Sequence, residues 1–179
     1  MSHSESSSES KLSTPHGEWE DVARTAAGNF AAGADGEEVE LLRELLVFGL
    51  DESAYAIAVE RIREIVRMRD LTRIPRSPEW LLGVMALRGE VVEVVDLRCR
   101  LGLLVKEPNR SSRIIVLHGD TERVTGILVD YVSEVLRVPE DSVMPAQGFE
   151  ITSVTEVCRR GEEFVSILDP DNALGFHDV

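Results

Sequence analysis

An all-β fold is what this sequence predicts: two related units of about 65 residues each, packed together behind an unstructured leader. Three observations predict it. From Leu45 onward, β-branched apolar runs recur every eight to twelve residues between turn residues, the spacing of a sandwich or small barrels rather than of βαβ units. The chain echoes itself at an offset of 70 residues. Composition also changes near residue 40, from Ser, Gly, Ala and Glu to Val, Ile and Leu.

Residues 1–40 hold nine acids against two bases, and their apolar residues (Leu12, Trp19, Val22, Phe30) show no sustained period. Such a stretch buries too little surface to offset its ordering entropy, so a disordered tail is expected, with a short helical lead-in from Glu37 to Leu46. The expected folded domain runs over 41–175, with a first unit at about 43–105 and a second at about 113–170. The opening Met-Ser-His-Ser-Glu lacks the basic and apolar regions of a signal peptide, and no run of eighteen apolar residues follows. A cytoplasmic protein with reduced Cys99 and Cys158, not inserted in a membrane, is the expectation.

The strands are expected at Leu45–Leu50, Tyr55–Val59, Ile65–Met68, Val84–Leu87 and Val91–Val95, then at Ile114–Leu117, Val124–Val129, Val132–Val138, Val154–Cys158 and Phe164–Leu168. Asp51-Glu52-Ser53, Arg88-Gly89, Gly119-Asp120-Thr121 and Arg160-Gly161 are the turns. Ser77-Pro78-Glu79 offers an N-cap, a proline at the first helical position and an early acid, predicting a short helix through Trp80 and Leu82.

The repeat sets Ala56–Met68 over Gly126–Val138, where Glu64 falls on Glu134 and Arg67 on Arg137. Ile74-Pro75 answers Met144-Pro145, and Arg88-Gly89-Glu90 answers Arg160-Gly161-Glu162. Each of those last turns leads into a strand ending at an acid, Asp96 or Asp169.

The net charge of −14 is unevenly spread: twelve bases face seven acids between Arg61 and Arg113, and thirteen acids face four bases from Ile114 onward. Such a field orients an approaching partner within about 8 Å, the screening length at physiological salt. Enzymatic signatures are missing. No phosphate-cradling glycine loop, nucleophile elbow or histidine pair at metal spacing occurs, so neither catalysis nor a cofactor is expected. His118 with Asp120 is a candidate base and orienter without a nucleophile near it in sequence. A nucleic-acid barrel is the alternative from another class, given Arg61, Arg63, Arg67, Arg69, Arg73 and Arg76. Aromatic residues at 5% and a pI near 4.7 weigh against it.

Tyr55-Ala-Ile-Ala-Val59, Ile62-Arg-Glu64-Ile65, Arg73-Ile74-Pro75, Pro78-x-x-Leu81-x-Gly83-Val84, Leu87-Arg88-Gly89 and Val94-Val95-Asp96-Leu97-Arg98 follow one another in the first unit. Gly126-Ile-Leu-Val129-Asp130-x-Val132-x-Glu134-Val135-Leu136 marks the second. In order and spacing these runs resemble the CheW family of chemotaxis coupling proteins over roughly residues 43–170. The resemblance implies two intertwined five-stranded barrels like SH3 folds, with a groove between them. It implies a non-catalytic adaptor that bridges the cytoplasmic tips of chemoreceptors (methyl-accepting chemotaxis proteins) to the regulatory domain of a CheA-type histidine kinase, in arrays at the membrane. Nucleic acid is not an expected partner.

Carried over by motif, Ile62, Glu64, Gly83, Leu87 and Arg88 are the receptor-contact candidates, and no kinase-contact residue is singled out. Ile62, flanked by arginines, suits an apolar contact with a polar rim, or else is plain core. Arg88 either contacts the receptor or braces the junction between units through bonds to carbonyls. The sequence departs from the family at Ala86 (usually Asn), Glu93 and Ala58 (often Pro), in ending soon after Asp169, and in the acidic tail. A CheW-like scaffold or competitor in a non-flagellar signalling system is therefore the alternative within binding proteins.

Overall fold

The computed structural model describes residues 41–118, 124–147 and 153–175. The expected tail and Asp120 lie outside them. The first half contains β1 (Leu42–Leu50), β2 (Ser53–Ala58), a 3-10 turn (Val59–Arg61), β3 (Ile62–Arg67), β4 (Leu81–Leu87), β5 (Glu90–Asp96) and a short helix α1 (Leu97–Arg100). The second half contains β6 (Arg113–Leu117), β7 (Val124–Val129), β8 (Tyr131–Pro139), a 3-10 turn (Glu140–Ser142), β9 (Met144–Pro145), β10 (Val154–Arg160), β11 (Glu163–Leu168) and a short helix α2 (Pro170–Leu174). Each of the ten expected strands is present within a few residues of its expected ends.

Two helical expectations fail. Ser77-Pro78-Glu79 opens only a turn, closed by the Leu81 amide donating to the Pro78 carbonyl at 3.0 Å, and Leu81 already begins β4. The segment is claimed by the sheet, because Leu81–Leu87 pairs with β5 while Met85 and Leu87 are buried. The helical lead-in fails over Leu42–Leu46, which belongs to β1 and pairs with β2 on one side and β8 on the other. Pairing on both sides overrides the weak local helical preference of this leucine-rich stretch.

The repeat is realised strand by strand. One sheet has the order β8-β1-β2-β11-β10-β9, the other β3-β6-β7-β5-β4. Reading β3 as β8, β6 as β1, β7 as β2, β5 as β11 and β4 as β10 turns one order into the other. Even the parallel pairs correspond, β5 with β7 and β11 with β2. Thr72, bridged to Val84, stands where β9 pairs with β10. Neither half of the chain makes a sheet alone: β1 and β2 sit in a sheet with the later strands of the second half, and β6 and β7 sit with β3, β4 and β5. The halves are interleaved.

The interleaving explains why β1, β2, β6 and β7 are apolar on both faces. Along β1, Leu45 and Val47 enter one core with Val138, Cys158 and Val165, while Leu46, Phe48 and Leu50 enter a core shared between the sheets. Along β6, Ile114 and Val116 face a core with Met85, Leu87 and Val94, while Ile115 and Leu117 face the shared one. Each sheet thus encloses its own core, and a third core joins the two. Burying one such Leu, Ile or Phe contributes about 1.5–3 kcal/mol before entropy is subtracted.

Candidate functional site

Glu64 lies on β3 and Arg88 in the β4–β5 turn, at opposite edges of their sheet, yet they form an ion pair at 3.2 Å. Arg63 pairs with Glu90 across the same gap. A five-stranded sheet whose two edges touch has curled into a small barrel, as expected. The second half repeats the device: Arg160, at the end of β10, bonds Glu134 of β8 at 3.4 Å and Glu163 of β11 at 2.6 Å. The two turns are displaced by one residue relative to the sequence echo. The last paired residues are Leu87 with Glu90 and Arg160 with Glu163, so Arg88 corresponds to Gly161 rather than to Arg160.

The turn residues explain the displacement. Arg88 (φ 51°) and Gly89 (φ 87°) both have positive φ, as a two-residue type I′ hairpin demands, and Gly161 alone does so in the other turn. An arginine held left-handed is locally strained by about 1–2 kcal/mol, and its side chain is nonetheless 74% exposed.

The structure separates the five receptor-contact candidates by face. A register shift lies between Ile62 and Glu64 in the β3–β6 ladder. It leaves Ile62 opposite Leu117 and packed against the shared core, while Glu64, opposite Val116, turns to the barrel mouth. Ile62 is only half-buried, so both sequence readings of it, contact and core, describe part of its surface. Leu87 is buried in the first barrel's core. Gly83 is also buried: its φ is 146°, and a Cβ there would meet the Thr72 carbonyl oxygen at 2.5 Å. Gly83 and Leu87 therefore shape the rim from within, and Glu64, Arg88 and part of Ile62 are the groups a partner would reach.

Sequence reasoning missed the apolar surface beside these charges. Ile65 on β3 and Val91 on β5 are exposed, as are their counterparts Val135 on β8 and Phe164 on β11. Tyr131 adds a second exposed aromatic ring at that end, and the Arg159 guanidinium lies 5.7 Å from the Phe164 ring. The chain thus carries two equivalently built surfaces, each with exposed apolar residues on strands that carry or flank a Glu–Arg pair. One sits in the basic stretch and the other in the acidic one. Knowing the register of β3 and β8 would have exposed the signal; the shift after Ile62 hid it.

Catalytic machinery does not assemble among the described residues. Burial pushes the Cys158 thiol upward, the reverse of an activated nucleophile, and Cys99 is also a free thiol. The His118 amide donates to the Arg61 carbonyl at 2.8 Å. No group of three or more His, Cys, Asp or Glu gathers to hold a metal among the described residues. Arg61 and Arg63, which suggested a nucleic-acid face, are engaged by Asp171 and Glu90. No helix among the described residues is long and apolar enough to cross a membrane.

The family model for a CheW-like domain matches residues 44–176. The chain belongs to the CheW family. It is 37% identical over 131 residues to the chemotaxis protein CheW of Thermotoga maritima, covering 73% of this chain and 80% of that one. The CheW protein of Klebsiella aerogenes is 31% identical over 141 residues, covering 76% of this chain and 84% of its own length. Among solved structures, the scaffolding protein TtCheW from Thermoanaerobacter tengcongensis aligns with a TM-score of 0.68 at 28% identity, over 72% of this chain and 90% of the other. CheW proteins are adaptors and scaffolds of chemotaxis signalling, and the present chain shares their fold.

Proposed function

We propose that this chain is a non-catalytic adaptor that joins the cytoplasmic tips of chemoreceptors to the regulatory domain of a CheA-type histidine kinase, and is drawn by both to receptor arrays at the membrane. The observation that carries the reading is the pair of equivalently built surfaces, one on each barrel, where exposed apolar residues accompany a Glu–Arg pair. One duplicated frame thereby offers two places to bind, and their different exposed side chains, Ile65 and Val91 at one against Val135, Phe164 and Tyr131 at the other, favour different partners. The surface around Ile62, Glu64 and Arg88 is assigned to the receptor hairpin, a helical partner whose apolar stripe suits a half-buried Ile with charged neighbours. The kinase takes a second surface. Micromolar contacts at each, about −8 kcal/mol apiece, suffice when both partners are held in one array.

The test is titration of the full chain against a receptor cytoplasmic hairpin and a CheA regulatory domain, separately and together. Both are expected to bind, and to bind at once. Ile62→Asp, which drives a charge into a half-apolar contact, is expected to weaken the hairpin at least tenfold and to leave kinase affinity unchanged. A chain that binds only one partner, or binds them in competition, is a competitor rather than a coupler.

A further inference from the structure

Arg61 and Asp130 lie at equivalent corners of the repeat, one residue apart in its register. Arg61 closes the 3-10 turn between β2 and β3, and Asp130 is the single residue between β7 and β8. Each corner is gripped by the second residue of the short helix that ends the other half. Arg61 donates through Nη2 to both carboxylate oxygens of Asp171 in α2, at 2.8 and 2.7 Å. Asp130 accepts from Nε of Arg98 in α1 at 2.8 Å, and from its Nη2 as well. The helices begin alike, since Asp96 and Asp169 cap them by accepting backbone amides. The same bridge is therefore built twice, with acid and base exchanged.

The two bridges differ in burial, and the difference assigns their work. Arg98 is 4% exposed and also donates to the Leu104 carbonyl, so it belongs to the folded interior. Arg61 and Asp171 are each about a third exposed, where an ion pair adds little to stability. Yet Asp171 makes all the side-chain hydrogen bonds Arg61 has among the described residues, and Arg61 Nε is buried without a partner. Ile62 follows Arg61 directly and opens β3. Helix α2 is itself anchored, because Arg100 of α1 donates to the Ala173 carbonyl at 2.9 Å and lies 5.1 Å over the Trp80 ring. A line of fixed contacts thus runs from Trp80 through α2 to the start of the strand carrying Ile62 and Glu64.

We propose that Asp171 is a positioning residue for partner binding: through Arg61 it sets where β3 lies against the second half, without touching the partner. The inference rests on β3 being part of the receptor-contact surface. Its geometric claim, that α2 holds β3, stands apart from the identity of the partner.

The full chain carrying Asp171→Asn is compared with wild type and with the reversal Arg61→Asp/Asp171→Arg. The probes are a chemoreceptor cytoplasmic hairpin and a CheA regulatory domain, and amide hydrogen exchange of β3 is followed in the free protein. Asp171→Asn is expected to weaken the hairpin about fivefold, leave the kinase domain within about twofold, and speed exchange across β3 while other strands stay protected. The reversal restores exchange and hairpin affinity, because the bridge survives with its signs exchanged. Unchanged β3 exchange in Asp171→Asn overturns the proposal. So does equal weakening of both partners with a fallen melting temperature, which is general loosening. If wild type fails to bind the hairpin, the receptor assignment falls, and the β3 exchange alone decides whether α2 positions the strand.

Discussion

Arg98→Met tests the buried bridge that holds the second corner. Arg98 contributes two hydrogen bonds to Asp130 and one to the Leu104 carbonyl, from a side chain that is almost wholly buried. Removing one member of a buried ion pair costs about 3–5 kcal/mol, chiefly because the other charge is left without compensation. Asp130 keeps the Asp51 amide at 2.8 Å and some solvent, so the lower end applies, about 3 kcal/mol. For a domain of this size that is a fall in melting temperature of roughly 10 °C. Thermal melting followed by circular dichroism at pH 7 measures it, and Arg98→Met/Asp130→Leu should recover more than half, since no stranded charge remains. Acid supplies the second arm. Burial pushes the Asp130 carboxyl up, but the Arg98 bond, the Asp51 amide and the charges of Arg98 and Lys106 outweigh it and hold it below the usual carboxylate range. Its folded pKa is thus depressed. The bridge contributes fully above the ordinary Asp value of about 3.9, and its contribution fades as pH falls through the lower folded value. The gap between wild type and Arg98→Met should therefore narrow below about pH 4. A melting temperature within about 3 °C of wild type at pH 7, or a gap that widens in acid, refutes the reasoning.

Gly83→Ala should destabilise the fold by about 2–4 kcal/mol, because a Cβ would press on the Thr72 carbonyl at 2.5 Å from a backbone with φ 146°. Urea melts at constant m-value measure it, and a loss of partner binding without that destabilisation would make Gly83 a contact rather than a spacer. Arg88→Gly removes a strained left-handed arginine and an exposed pair with Glu64, so stability should hold to within about 1 kcal/mol while hairpin affinity falls. A larger stability loss, with binding intact, assigns Arg88 to bracing the barrel.

The lesson of the two corners is how little of them a linear reading could see. Arg61 and Asp171 are separated by 110 residues, and Arg98 and Asp130 by 32, with nothing in either local pattern to join them. The short helices are not legible in the sequence because four or five residues carry no period, although the capping acids Asp96 and Asp169 stand at the ends of equivalent strands of the repeat. The expected helix after Ser77 failed for the converse reason. Its capping signal was genuine, but pairing of Leu81–Leu87 with β5 used the same residues better.

By itself the sequence determined the strands, the duplication and the family, since alternating burial, turn residues and the order of motifs are written into adjacent positions. Only the tertiary structure decided which strand lies beside which. A strand apolar on both faces, such as Leu45–Leu50, fits either of two cores equally well by pattern, and the choice that carries β1 and β2 into the other half's sheet is made by packing across the whole chain. The same holds at the surface. The register shift after Ile62 decides which side of β3 meets solvent, and so which residues a partner can touch.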